Sequence, residues 1–196
     1  MSTQFIKAKK LAIKVIQKRI DRSLAREGSS YGLSRWDKDQ MEKVTALTDY
    51  PTNSIQLRDV DTVAKAKLLK AQLQEKFPDR KFSVLTDNYS GGSSIDAEYI
   101  GEPIPKADLD KIAQLYSDSG KTDLQTDYFD YDNYCHVKEN YTQYSERSKS
   151  FPECSFCGMK QEKMAVTCND KNACTICRSN GNAGTSFKSI PETVVN

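Results

Sequence analysis

Six cysteines are spread very unevenly along this chain, and four of them are spaced for metal chemistry. Cys154-Ser-Phe-Cys157 is followed, with sixteen residues between, by Cys174-Thr-Ile-Cys177, the pattern C-x2-C-x16-C-x2-C. Each pair lets one tight turn present two thiolates, and tetrahedral Zn2+ takes four at about 2.3 Å. Gly158 follows the first pair, where a residue at ease with positive φ lets the turn close behind its second ligand. Cysteine in all four positions leaves no vertex for water, so the expected ion is structural zinc rather than a catalytic one. The stretch of about 45 residues after Ser150 holds too few large apolar side chains for a core. Zinc would contribute of order 10 kcal/mol to folding such a segment. Five of the six cysteines lie between Cys154 and Cys177, and clustered cysteines in an intracellular chain favour metal over disulfides. Cys168 lacks a C-x2-C partner; a free thiol is its plainer reading and ligand substitution the sharper one. Cys135-His136, outside the cluster, reads as ordinary packing.

Two charged clusters offer other chemistry. Asp127, Asp130 and Asp132 alternate with Tyr128, Phe129, Tyr131 and Tyr134. Such a cluster can hold Mg2+ for phosphoryl chemistry or present an acidic-aromatic surface to a basic partner. The plain alternative is a loop whose tyrosines pack on a core. Near the N-terminus, Lys7, Lys10, Lys14 and Lys18 fall within about 80° of one another on a helix. That stripe can track a DNA or RNA backbone, or be the solvated face of a helix buried on its other side. One histidine is present, with no Gly-rich phosphate loop, G-x-S-x-G or H-E-x-x-H, so a binding protein is expected before an enzyme.

The net charge of +2 excludes a polycation, yet residues 1–30 hold eight Lys or Arg against Asp21 and Glu27. Hydrophobic residues at 37% and charged residues at 29% exclude a mainly disordered chain and a collagen-like fibre. No apolar run approaches the roughly 20 residues of a membrane helix. The opening MSTQFIKAKK lacks the apolar stretch of a secretory signal, so a cytoplasmic protein is expected.

The elements that position these groups follow from periodicity. Residues 5–26 place Phe5, Ala8, Ala12, Val15, Ile16 and Ile20 at helical spacing, and Gly28 with Ser29-Ser30 stop the helix. A second helix is predicted after Ser34, a natural cap, through Met41, Val44 and Leu47 to before Pro51. Residues 50–58 read as a connection or short strand. A third helix over 60–76 carries Val60, Val63, Ala64, Leu68 and Ala71 on one face and Leu69 and Leu73 on another, which implies contact from two sides. KFSVLT (81–86) and SSIDAEYIG (93–101) alternate as strands, joined through Gly91-Gly92 as a hairpin with a longer loop. A last helix begins near Pro105, buries Leu109, Ile112, Ala113 and Tyr116, and stops at Ser119-Gly120. The predicted fold class is α+β: helices packed on one face of a small antiparallel hairpin sheet, plus a C-terminal zinc finger. The predicted organisation is a basic helical segment (1–50), an α–β–β–α domain (51–150), and the finger with its tail (151–196).

The segment KFSVLTDNYSGGSSIDAEYIGEPIP (81–105), the helix to Tyr116, and DYFDYDNY (127–134) together resemble the large polyvalent protein associated domains of bacteriophages and conjugative elements. That likeness covers about residues 55–135. It implies an accessory protein of a phage or mobile element acting inside a bacterial cell, on a host or phage protein complex. Within the finger, Cys154-Ser155-Phe156-Cys157-Gly158, Gln161 and Cys174-x2-Cys177 resemble the zinc-binding domain of the ClpX unfoldase. That second likeness implies a treble-clef knuckle used for protein docking.

Overall fold

The computed structural model describes residues 2–27, 34–89, 92–117, 132–162, 165–166, 172–174 and 176–177. The predicted turn and stop residues Gly28, Ser29, Ser30, Gly91, Ser119 and Gly120 lie outside them. Two compact units are present, Met1–Glu139 and Asn140–Asn196.

In the first unit, α1 (Thr3–Glu27) buries Phe5, Ala8, Ala12, Ile16 and Ile20 and leaves Lys7, Lys10, Lys14 and Lys18 exposed. The apolar stripe lies against α2 (Arg35–Ala46) and, more extensively, α3 (Thr62–Lys76). Ser34 caps α2 as expected: its hydroxyl oxygen accepts from the Asp37 N–H at 3.0 Å. Between α2 and α3 the chain makes a 3-10 turn (Ser54–Leu57), closed by a reciprocal cap between Asn53 and Gln56. The Asp61 carboxylate caps α3 by accepting from the N–H groups of Val63 and Ala64.

α3 is the centre of this unit. Ala64, Leu68, Leu69 and Leu73 are all fully buried, so the two apolar faces read from the sequence both find neighbours. α1 covers one side, and β1 (Lys81–Tyr89) with β2 (Gly92–Ile100) covers another. β1 and β2 pair antiparallel without interruption, from Lys81 opposite Ile100 to Tyr89 opposite Gly92. The link between them is therefore two residues, 90 and 91, shorter than the sequence suggested, because Gly92 already belongs to the strand. α4 (Lys106–Tyr116) follows, with Pro105 just before its first turn and Leu109, Ile112, Ala113 and Tyr116 buried.

The sheet departs from expectation in one respect. The stretch read as an acidic-aromatic loop enters a third strand, β3 (Asp132–Glu139), parallel to β2. The order is β1-β2-β3, so the sheet is mixed rather than purely antiparallel. α4 carries the chain back before β3 begins, which is the crossover a parallel pair needs. Phe82, Val84, Ile95, Ala97, Tyr99, Cys135 and Val137 share the face covered by α3 and α4. Leu85, Asp96, Glu98, His136 and Lys138 share the opposite, open face by the period-2 rule. Cys135 thus packs into the core as expected, and burial pushes its thiol up to about 12.

In the second unit, α5 (Tyr141–Ser148) starts at Asn140, whose side chain accepts from the Thr142 N–H. Tyr144 meets Phe151 edge to face at 5.9 Å, and the Arg147 guanidinium lies over both rings. Beyond it come a single bridge between Glu153 and Lys160 and a short antiparallel pair, β4 (Ala165–Val166) with β5 (Asn172–Ala173).

Candidate metal centre

The first cysteine pair sits in a tight loop. The Gly158 N–H donates to the Cys154 carbonyl at 2.9 Å, and the Cys154 N–H donates to the Met159 carbonyl at 2.9 Å. Gly158 has φ 73°, the left-handed region the sequence reading assigned to it. A Cβ there would meet only the Glu153 carboxylate at 3.4 Å, so backbone conformation and not crowding calls for glycine. The Glu153–Lys160 bridge closes the loop from outside. That support escaped the spacing argument, since its only trace in the sequence is an acid and a base flanking the knuckle.

The second pair follows β5. Cys174 is fully buried, Cys154 and Cys177 nearly so, and Cys157 is exposed. The four sulfurs come together: all lie within 4.8 Å of one another. The vertices of a tetrahedron with 2.3 Å arms are about 3.8 Å apart. Cys157 Sγ and Cys174 Sγ are separated by 3.6 Å, close to such an edge and far beyond a disulfide bond of about 2.05 Å. All four are free thiols. Backbone groups point at the cage, among them the Cys174 N–H, which donates to Cys154 Sγ, and the Cys177 N–H, which donates to Cys174 Sγ, each at 3.4 Å.

The electrostatics show what the cage lacks by itself. The Cys174 N–H, first among several donors, draws the Cys154 thiol down to about 6. Its hydrogen bond with Cys157 leads the effects that hold Cys177 up at about 12. One thiolate forms readily, and further negative charge beside it is resisted. A divalent cation bound at the centre would offset that resistance and favour deprotonated cysteines as its ligands. The donor set therefore fits a soft tetrahedral ion, with Cys154, Cys157, Cys174 and Cys177 as its holders.

The other sequence-predicted residues divide into two groups. Lys7, Lys10, Lys14 and Lys18 form an exposed stripe on α1. Lys9, between them, is instead spent on structure: its ammonium donates to the Thr45 and Leu47 carbonyls at the end of α2. Asp127, Asp130, Cys168 and the side chain of Asp132 lie outside the described residues. His136 is exposed, with its ring stacked on Tyr134 at 6.5 Å between centroids.

The model of one protein family, described as large polyvalent protein associated domain 29, matches residues 60–160. The matched stretch holds α3, the three strands, α4, α5 and the first cysteine pair, and ends before the second pair. No curated protein matches, and no solved structure matches.

Proposed function

Since the chain belongs to the family of large polyvalent protein associated domain 29, a protein associated with phages or mobile elements, we propose that it is a non-catalytic binding module of such an element. Its C-terminal finger, of the ClpX type, is held by zinc and docks to a host or phage protein or nucleoprotein in the bacterial cytoplasm. The specific form of this reading is inhibition of a host complex directed at nucleic acid. The observation that carries the proposal is the four-sulfur cage. Soft thiolates favour zinc among the common divalent ions, and four of them leave no coordination position for water or substrate. Such a centre shapes a surface rather than performing a reaction. No helix among the described residues is long and apolar enough to cross a membrane.

The test uses the full chain as bait in bacterial lysate, beside a Cys174→Ser/Cys177→Ser variant. The zinc-loaded chain is expected to recover one partner in stoichiometric amount, and the variant to lose it. Absence of any such partner, with no shift of DNA or RNA at low salt, overturns the proposal. Metal analysis tests the ion separately: about one zinc per chain is expected, and a content near zero defeats it.

A second reading is supported by the exposure of Lys7, Lys10, Lys14 and Lys18 along α1. In it the chain binds DNA or RNA directly through this stripe. Replacing all four with Gln would flatten the dependence of affinity on salt; an unchanged slope rejects the role.

A further inference from the structure

Sheet edges carry unpaired backbone groups, and proteins blunt them with proline, bulges or charge. β1 is an edge: β2 lies on one side of it, and no strand among the described residues lies on the other. Of these it has only charge, and its two charged residues, Lys81 and Asp87, are of opposite sign. Its nine residues contain no proline, and its pairing with β2 runs without a bulge. On the open face of the sheet Leu85 stands at its centre, 70% exposed. Lys81, Ser83, Asp87 and Tyr89 flank it on that face, all exposed.

The order of these residues is self-complementary. Laid antiparallel on itself about Leu85, β1 sets Leu85 against its own copy, Ser83 against Asp87, and Lys81 against Tyr89. Lys81 then lies diagonally across from Asp87 of the second copy, within reach of a long side chain, and the two-fold axis repeats the contact. The backbone agrees with that register. Two residues separate Tyr89 from its partner Gly92. Antiparallel strands joined by so short a link close on a hydrogen-bonded pair, which turns the backbone groups of Tyr89 and of the odd-numbered residues of β1 towards β2. Alternation in an antiparallel ladder therefore turns the N–H and C=O groups of Phe82, Val84, Thr86 and Asn88 away from β2. Centring on Leu85 pairs Val84 with Thr86 and Phe82 with Asn88, so every outward group meets another. Leu85 and its copy fall at a non-hydrogen-bonded position, where side chains approach most closely.

We infer that two copies of this chain pair edge to edge through β1, antiparallel about a two-fold axis at Leu85, joining two three-stranded sheets into one of six strands. The occupant of this edge is a second copy because the charges complement each other within a single sequence: the ends of one strand supply both the cation and the anion.

The experiment is analytical ultracentrifugation of the full zinc-loaded chain from low micromolar to hundreds of micromolar, with circular dichroism confirming that each variant is folded. Wild type is expected to dimerise. Lys81→Glu places two carboxylates together in its own dimer, and Asp87→Lys places two ammonium groups together. Each is expected to weaken self-association by about tenfold or more. Mixed in equal amounts, the two variants face each other with opposite charges at both contacts and are expected to associate as a heterodimer. A monomer at every wild-type concentration overturns the inference. So does a dimer indifferent to both substitutions, or a mixture that does not restore association.

Discussion

The two units are held together by different physics. In Met1–Glu139 a continuous apolar cluster runs from Phe5 and Ile16 on α1 through Leu68, Leu69 and Leu73 on α3 to Ile95, Ile112 and Tyr116. In Asn140–Asn196 the buried cluster among the described residues is Cys154, Cys174 and Cys177. The first unit gains its stability by removing hydrocarbon from water, a term spread over many side chains. The second gathers its buried groups at one point, the four-sulfur cluster, where an ion would concentrate its stability. A distributed core tolerates the loss of any one contact in part; a four-ligand centre loses its purpose with one ligand.

The strongest way to break this comparison is to remove the metal. Chelation, or Cys174→Ser, is expected to remove of order 10 kcal/mol from the second unit and to unfold it. The thermal transition of the first unit should remain. One unfolding transition lost and one kept, by calorimetry, is the expected record; a shared collapse would mean that the division is wrong. Next in size is the converse. Leu69→Ala in the first unit is expected to cost about 2–5 kcal/mol by chemical denaturation, because it leaves a void in a fully buried site. Zinc stoichiometry should not change.

Smaller effects sharpen the contrast. Gly158→Ala forces a side chain into left-handed backbone and is expected to cost about 1–2 kcal/mol. The measurement is a competition titration against a zinc chelator, and metal affinity should fall about tenfold. The smallest effect concerns alkali. The Cys135 thiol ionises at an ordinary value of 9.0 in the unfolded chain and at about 12 when folded. Folding keeps it protonated, so its contribution is fully present below pH 9 and is lost as pH rises towards 12. At pH 10 the loss is about 1 kcal/mol. Denaturation of the first unit at pH 8 and pH 10 measures it, and Cys135→Ala should reduce the difference.

How much was legible beforehand divides along the same line. The four-sulfur cluster was readable because its geometry is local: a C-x2-C turn presents two sulfurs whatever the rest of the chain does, and Gly158 needs only its own φ. The helices were readable for a similar reason. Ser34 caps its own helix, and Leu109, Ile112, Ala113 and Tyr116 share one face by a period internal to α4. β3 was not readable. Asp132–Glu139 shows its alternation over Cys135, His136, Val137 and Lys138 alone, beside a run of aspartates and tyrosines that suggests a loop. Its identity as a strand depends on β2, which lies more than thirty residues earlier.

Composition and spacing alone determined that this chain carries a four-cysteine cluster, an amphipathic basic helix and an α+β domain. They could do so because ligand turns and helical faces are set by neighbours a few residues apart. Only the tertiary structure decided that α1 spends its apolar stripe on α3, that the fully buried α3 residues include Lys65, and that β2 and not β1 is the central strand. Those outcomes depend on which surfaces are removed from water together, a property of the folded whole that no short window of residues contains.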